Sequence, residues 1–179
     1  MSRLPRLAKG WHRTPADGCC LMELTSLLAG EVWSDRPACV HPVLACVARC
    51  VNDQSTEDGR RRLLPFATKV IGTEQAPAER LLAHCASRAG IVAPKWWPRD
   101  WVVARAVRAM SGDEVLRRLL DECVAICWEA GHGTSDEQAA RGAAGGRRGH
   151  RATGHAGGRG TTGDPRAGQV PRRDHAHAG

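Results

Sequence analysis

From Asp17 to about residue 130, large apolar side chains recur every three or four positions, and no stretch alternates strictly between apolar and polar. That spacing lines one face of a helix, whereas a half-buried strand needs a period of two. β-branched and aromatic residues are nowhere dense enough to favour a strand instead. The sequence therefore predicts an all-α fold, a compact orthogonal or irregular bundle of five to seven helices.

Local signals place those helices. Asp17 is expected to cap the first, which Gly30 ends. Cys20, Leu21, Leu24, Leu27 and Leu28 share one side of it, while Cys19, Met22 and Ser26 look elsewhere, so this helix should be covered on two sides. Pro42 opens the second helix with His41 as its cap, and Val43, Leu44, Val47, Cys50 and Val51 share a face. A third begins at Ser55 or Thr56, is interrupted by Pro65 and resumes over Phe66–Ile71. A fourth runs from Pro77 to Gly90, and Pro98 starts a fifth. Ser111 and Glu114 have capping-box spacing for a sixth, which Gly131 is expected to close.

Composition divides the 179 residues into three parts. Residues 1–15 are basic, contain Pro5 and Pro15, and read as a flexible arm; residues 16–130 read as the helical domain. Residues 131–179 hold 13 of the 20 Gly and five of the eight His, with Val170 the one large apolar residue. Such a segment buries too little to offset its ordering entropy, so a disordered Gly/Arg/His-rich tail is expected. The same composition is what a GC-rich gene yields when read out of frame. Residues 1–130 carry 18 Lys and Arg against 15 Asp and Glu, and the tail carries eight Arg against four acids. The domain is thus near balance, which gives no electrostatic case for a nucleic-acid groove. With no apolar leader region and no apolar run of about 20 residues, the chain is expected to be cytoplasmic, with reduced thiols and no membrane partner.

Four groups of residues could carry chemistry. Cys39, His41, Cys46 and Cys50 include ligand types for zinc, and helix positions four apart project the same way. Their spacing matches no zinc pattern, and a buried free Cys behaves as a small hydrophobe. Cys19 and Cys20 lie near a helix N-terminus, which favours a thiolate, but Glu23 opposes it and no pattern supplies a base. Trp96, Trp97 and Trp101 suit a partner surface, although in a domain with one Phe and no Tyr they are also the obvious core fillers. Arg60, Arg61 and Arg62, with the tail, could bind nucleic acid weakly; beside Glu57 and Asp58 they equally make a solvated helix face.

The run GCCLMELTSLLAGEVWSDRPACVHPVLA, followed by VND, resembles a family of short actinobacterial proteins without an assigned activity. The likeness spans roughly residues 18–73 and implies a cytoplasmic protein, with no reaction, cofactor or partner attached. It gathers Glu23, Ser34, Asp35, Cys39 and His41 into one motif. Glu23, Ser34, Asp35 and His41 are then either a polar site or a structural lock between the first two helices.

No catalytic motif is present and no cofactor is implied. The leading expectation is a non-enzymatic module that binds another protein. The alternatives are a zinc or thiol-redox site around Cys39, His41 and Cys46, and weak nucleic-acid binding through Arg60–Arg62 and the tail.

Overall fold

The computed structural model of the protein describes residues 5–145, with side-chain surroundings through residue 130. Seven α-helices and no strand are found among these residues: α1 Leu21–Leu28, α2 Pro42–Gln54, α3 Glu57–Arg61, α4 Phe66–Lys69, α5 Ala78–Arg88, α6 Arg99–Arg108 and α7 Asp113–Gly145. The fold is all-α, as the apolar spacing requires. None of these helices is long and apolar enough to cross a membrane.

The centre of the bundle is α2, which packs against α1, α5, α6 and α7, most extensively against α6. Pro42 sits in its first turn, and the His41 ring caps it by accepting the Val43 N–H at 3.2 Å. At the other end Gln54 Nε2 donates to the Val107 carbonyl at 3.0 Å, tying the C-terminal ends of α2 and α6 together. Leu21, Leu44, Leu81, Leu116, Leu119 and Leu120 are fully buried around α2. Each contributes about 1.5–3 kcal/mol relative to exposure. None of the six tryptophans is buried. The helices approach through Ala45, Ala48, Ala67, Ala106 and the cysteines, which leaves no room for an indole.

Three starts and ends differ from expectation. Cys20, not Asp17, caps α1: its Sγ accepts the Glu23 N–H at 3.4 Å, and Glu23 Oε2 accepts the Cys20 N–H at 2.7 Å. Asp17 closes a 3-10 turn, Pro15–Asp17, and accepts the Thr14 hydroxyl at 2.8 Å. The capping box expected at Ser111 and Glu114 does not form. Arg117, one turn on, holds the Glu114 carboxylate at 2.7 and 3.0 Å. Finally, α7 continues past Gly131 to Gly145. A glycine costs a helix only about 1 kcal/mol, and residues 136–144 are mostly good helix formers. The part of the expected disordered tail from residue 146 onward lies outside the described residues.

The basic arm, expected to be flexible, is fastened from Pro5 onward. Leu7 is buried and pairs with Cys19 in an isolated parallel bridge. Ala8 N–H donates to the Cys19 carbonyl at 2.7 Å, Asn52 Nδ2 to the Ala8 carbonyl at 2.8 Å, and Gly10 N–H to Asp53 at 2.8 Å. A second difference lies in α1. Residues Leu21 to Ser26 are buried on every side, while Leu27 and Leu28, at the C-terminal end of the helix, are exposed.

Candidate functional site

Glu23 is the most unusual side chain in the fold, a carboxylate with no exposure in the first turn of α1. Three donors compensate its burial: Cys20 N–H at 2.7 Å, His12 N–H at 2.7 Å and His12 Nδ1 at 2.9 Å. His12 is fixed in turn because its carbonyl accepts Trp33 Nε1–H at 2.9 Å. One turn along α1, the Ser26 hydroxyl donates to the Glu23 carbonyl at 2.8 Å and accepts the Ser34 N–H at 3.2 Å. Asp35 follows, its carbonyl taking Arg49 Nη1 at 2.8 Å and its carboxylate 3.5 Å from Arg49 Nε. Glu23, Ser34 and Asp35 therefore belong to one connected polar seam joining the arm, α1, the following loop and α2.

His41 does not join that seam. It is buried at the start of α2, where its N–H reaches the Thr73 hydroxyl at 3.4 Å. Burial holds its pKa below the ordinary histidine value, Arg99 pushes the same way, and Glu79 opposes them. A neutral ring with Nδ1 unprotonated is what accepting the Val43 N–H requires. The four-residue polar group expected from sequence is thus a three-residue seam and a separate cap.

The thiols are held as packing groups. Burial, aided by Glu23, pushes Cys19 up to about 12, and burial likewise raises Cys20 to about 12. Both shifts oppose the thiolate that the helix start would favour. Cys39 faces Glu31, whose carboxylate accepts the Ala38 and Cys39 N–H groups at 2.7 and 2.9 Å. Cys46 donates to Cys50 along α2, raising the pKa of Cys46 and lowering that of Cys50. Cys85 and Cys123 meet between α5 and α7 with their sulfurs 3.9 Å apart. Among the described residues, no three His, Cys, Asp or Glu side chains are grouped to hold a metal ion. Cys39 turns to Glu31, the His41 ring caps α2, and Cys46 and Cys50 pair with each other, so the four do not converge on one point.

The arginine run also divides. Arg61 pairs with Glu57 at 2.6 Å and Asp58 at 2.7 Å on the surface, the solvated-face alternative. Arg60 turns inward to the Ser55 carbonyl.

Trp96, Trp97 and Trp101 are brought together. Trp97 stands edge-on to both neighbours, with ring centroids 6.1 Å from Trp96 and 4.1 Å from Trp101. Trp96 is 80% exposed and Trp101 48%. Beside them a groove of about 520 Å³ runs between α5 and α6, lined by Leu82, Ala83, Ala86, Pro94, Trp97 and Val102. Lys95 and Arg99 stand at its rim with Glu79, which lies 3.9 Å from Arg99. Core filling, the simpler expectation for these tryptophans, is not what they do.

No family model, curated protein or solved structure matches the chain. The site is therefore read from its own geometry. Sequence reasoning missed His12 and Thr73, because each acts across a distance in the chain. A signal for His12 was present in Glu23 itself, a lone carboxylate on a helix surrounded by apolar residues, which demands donors from elsewhere.

Proposed function

We propose that the protein is a non-enzymatic, cytoplasmic interaction module that holds an apolar segment of a partner protein on the face formed by Trp96, Trp97 and Trp101. The observation that carries this reading is the contiguous tryptophan triad, left at the surface beside an apolar groove. Tryptophan is enriched among the anchors of protein interfaces, and a sizeable exposed apolar patch marks an interaction site. The rim supports an occupant of one chemistry. Lys95 has no ion-pair or hydrogen-bond partner among the described residues, and Arg99 is only loosely paired. A partner segment with aliphatic or aromatic anchors flanked by carboxylates fits both features. The chain's own residues 146–179 do not, since Val170 is their one large apolar side chain. All eight cysteines are free, which suits a reducing compartment.

The test is capture of partners from native cytoplasm on immobilised full-length protein, beside the Trp96→Ala/Trp101→Ala variant. Loss of two interface anchors is expected to weaken retention by roughly thirtyfold or more, at an unchanged thermal midpoint. Equal retention by the variant contradicts the proposal.

A further inference from the structure

A second cleft lies where the arm crosses the Pro15–Asp17 turn. Its volume is about 430 Å³, and three cationic side chains, Arg6, Lys9 and Arg60, line it against one carboxylate, Asp17. The cleft is built into the fold. The bridge between Leu7 and Cys19 fixes one wall, and Gly18, at φ +108°, lets the turn approach the arm. A Cβ at that position would lie 3.2 Å from Ala8 Cβ and 3.4 Å from the Arg6 carbonyl.

The charges there are not mutually satisfied. Arg6 shares the Glu57 carboxylate with Arg61, and Asp17 accepts the Thr14 hydroxyl. Lys9 is exposed with no partner among the described residues. Arg60 spends Nη1 on the Ser55 carbonyl, yet its Nε–H is buried without an acceptor among the described residues. An unmet buried donor is costly, and more so on a charged group. An anion with several acceptor oxygens suits a cleft lined by three cationic side chains and one carboxylate. Phosphate matches the guanidinium fork and also serves a lysine ammonium as a point charge.

We propose that this cleft binds a phosphate group, with Arg60 and Lys9 as its principal contacts and Arg6 at the rim. The group is carried either by a small phosphorylated metabolite or by a nucleic-acid backbone. The proposal is independent of the tryptophan face, which lies on α6 and the segment before it.

The experiment is an NMR titration of the uniformly ¹⁵N-labelled full chain at low salt, once with inorganic pyrophosphate and once with a short single-stranded oligothymidylate. Saturable shifts are expected at the Lys9 and Gly18 amides and at the Arg60 Nε–H signal. Lys9→Gln, a change at an exposed residue, is expected to weaken binding about threefold to tenfold, and Arg60→Lys by at least as much. Shifts with pyrophosphate alone assign a small-molecule source. Stronger shifts with the oligonucleotide, extending to Arg61 and Arg62 and falling steeply with salt, assign a nucleic-acid backbone. Either result supports the cleft. Absence of saturable shifts at these signals with both probes, or binding unaltered by Lys9→Gln, overturns it.

Discussion

His12 Nδ1 lies 2.9 Å from Glu23 Oε2, and the same carboxylate accepts the His12 backbone N–H at 2.7 Å. One glutamate on α1 thereby clamps a residue of the arm through both its ring and its main chain. The clamp is closed by Trp33, which donates to the His12 carbonyl from the loop beyond α1. Three segments distant in sequence are held by a single buried charge, which makes Glu23 a structural lock between the arm and the bundle.

Replacing that charge tests the lock. Glu23→Gln keeps the shape but presents one amide NH₂ to N–H donors that need an acceptor, so at least one buried donor loses its partner. A loss of about 2–4 kcal/mol is expected in urea unfolding. His12→Ala leaves the carboxylate its backbone donors and should cost less, about 1–2 kcal/mol. If both variants unfold at the wild-type midpoint, the seam is not a lock.

Gly59 supplies a second test. It sits in α3 directly under the Asp113 carboxylate, and a Cβ there would stand 2.3 Å from Asp113 Cγ. That carboxylate cannot swing away freely, because it accepts the Thr56 N–H at 2.9 Å and also bonds the Thr56 hydroxyl. Gly59→Ala is expected to destabilise by about 1–3 kcal/mol despite the better helix propensity of alanine. In the double variant with Asp113→Ala the clash is absent, so the two costs should fall short of their sum. A double-mutant cycle measures this directly, and strict additivity would count against the contact.

His41 gives a pH dependence with a definite sign. Its folded pKa lies below the ordinary value of 6.5, with burial the main cause. The unfolded chain therefore takes up the proton first, and the unfolded state gains on acidification. The stability from the neutral cap is complete above about pH 6.5, declines as pH falls below that, and is gone beneath the folded pKa. His41→Asn retains a capping side chain without a titrating ring. Between pH 7 and 5, its unfolding midpoint is expected to fall less than that of wild type.

The contrast between His41 and Cys20 shows where sequence reasoning stops. His41 followed by Pro42 is a local signal, and the cap it predicts is the cap that forms. Cys20 is a poor acceptor by residue type, and Asp17 is the better-looking cap. The choice was made by Glu23, whose burial draws the Cys20 N–H to it and pulls the helix start forward. The tryptophans mislead for a related reason. Their size argues for the core, but the fit of small residues between α2, α6 and α7 decides against them, and that fit is not written in any local pattern. Spacing gave the helices; partners from distant segments gave the seam, the fastened arm and the aromatic face.

The proposed partner protein would sit on the face of Trp96, Trp97 and Trp101. The most direct measurement places a photoreactive residue at Val92, which is 92% exposed next to that face, and separately at Val32, which is 87% exposed in the loop after α1. After irradiation in intact cells, a discrete cross-linked species is expected from position 92 and not from position 32, and Trp96→Ala should abolish it. Cross-linking from position 32 alone, or from neither, would contradict the account.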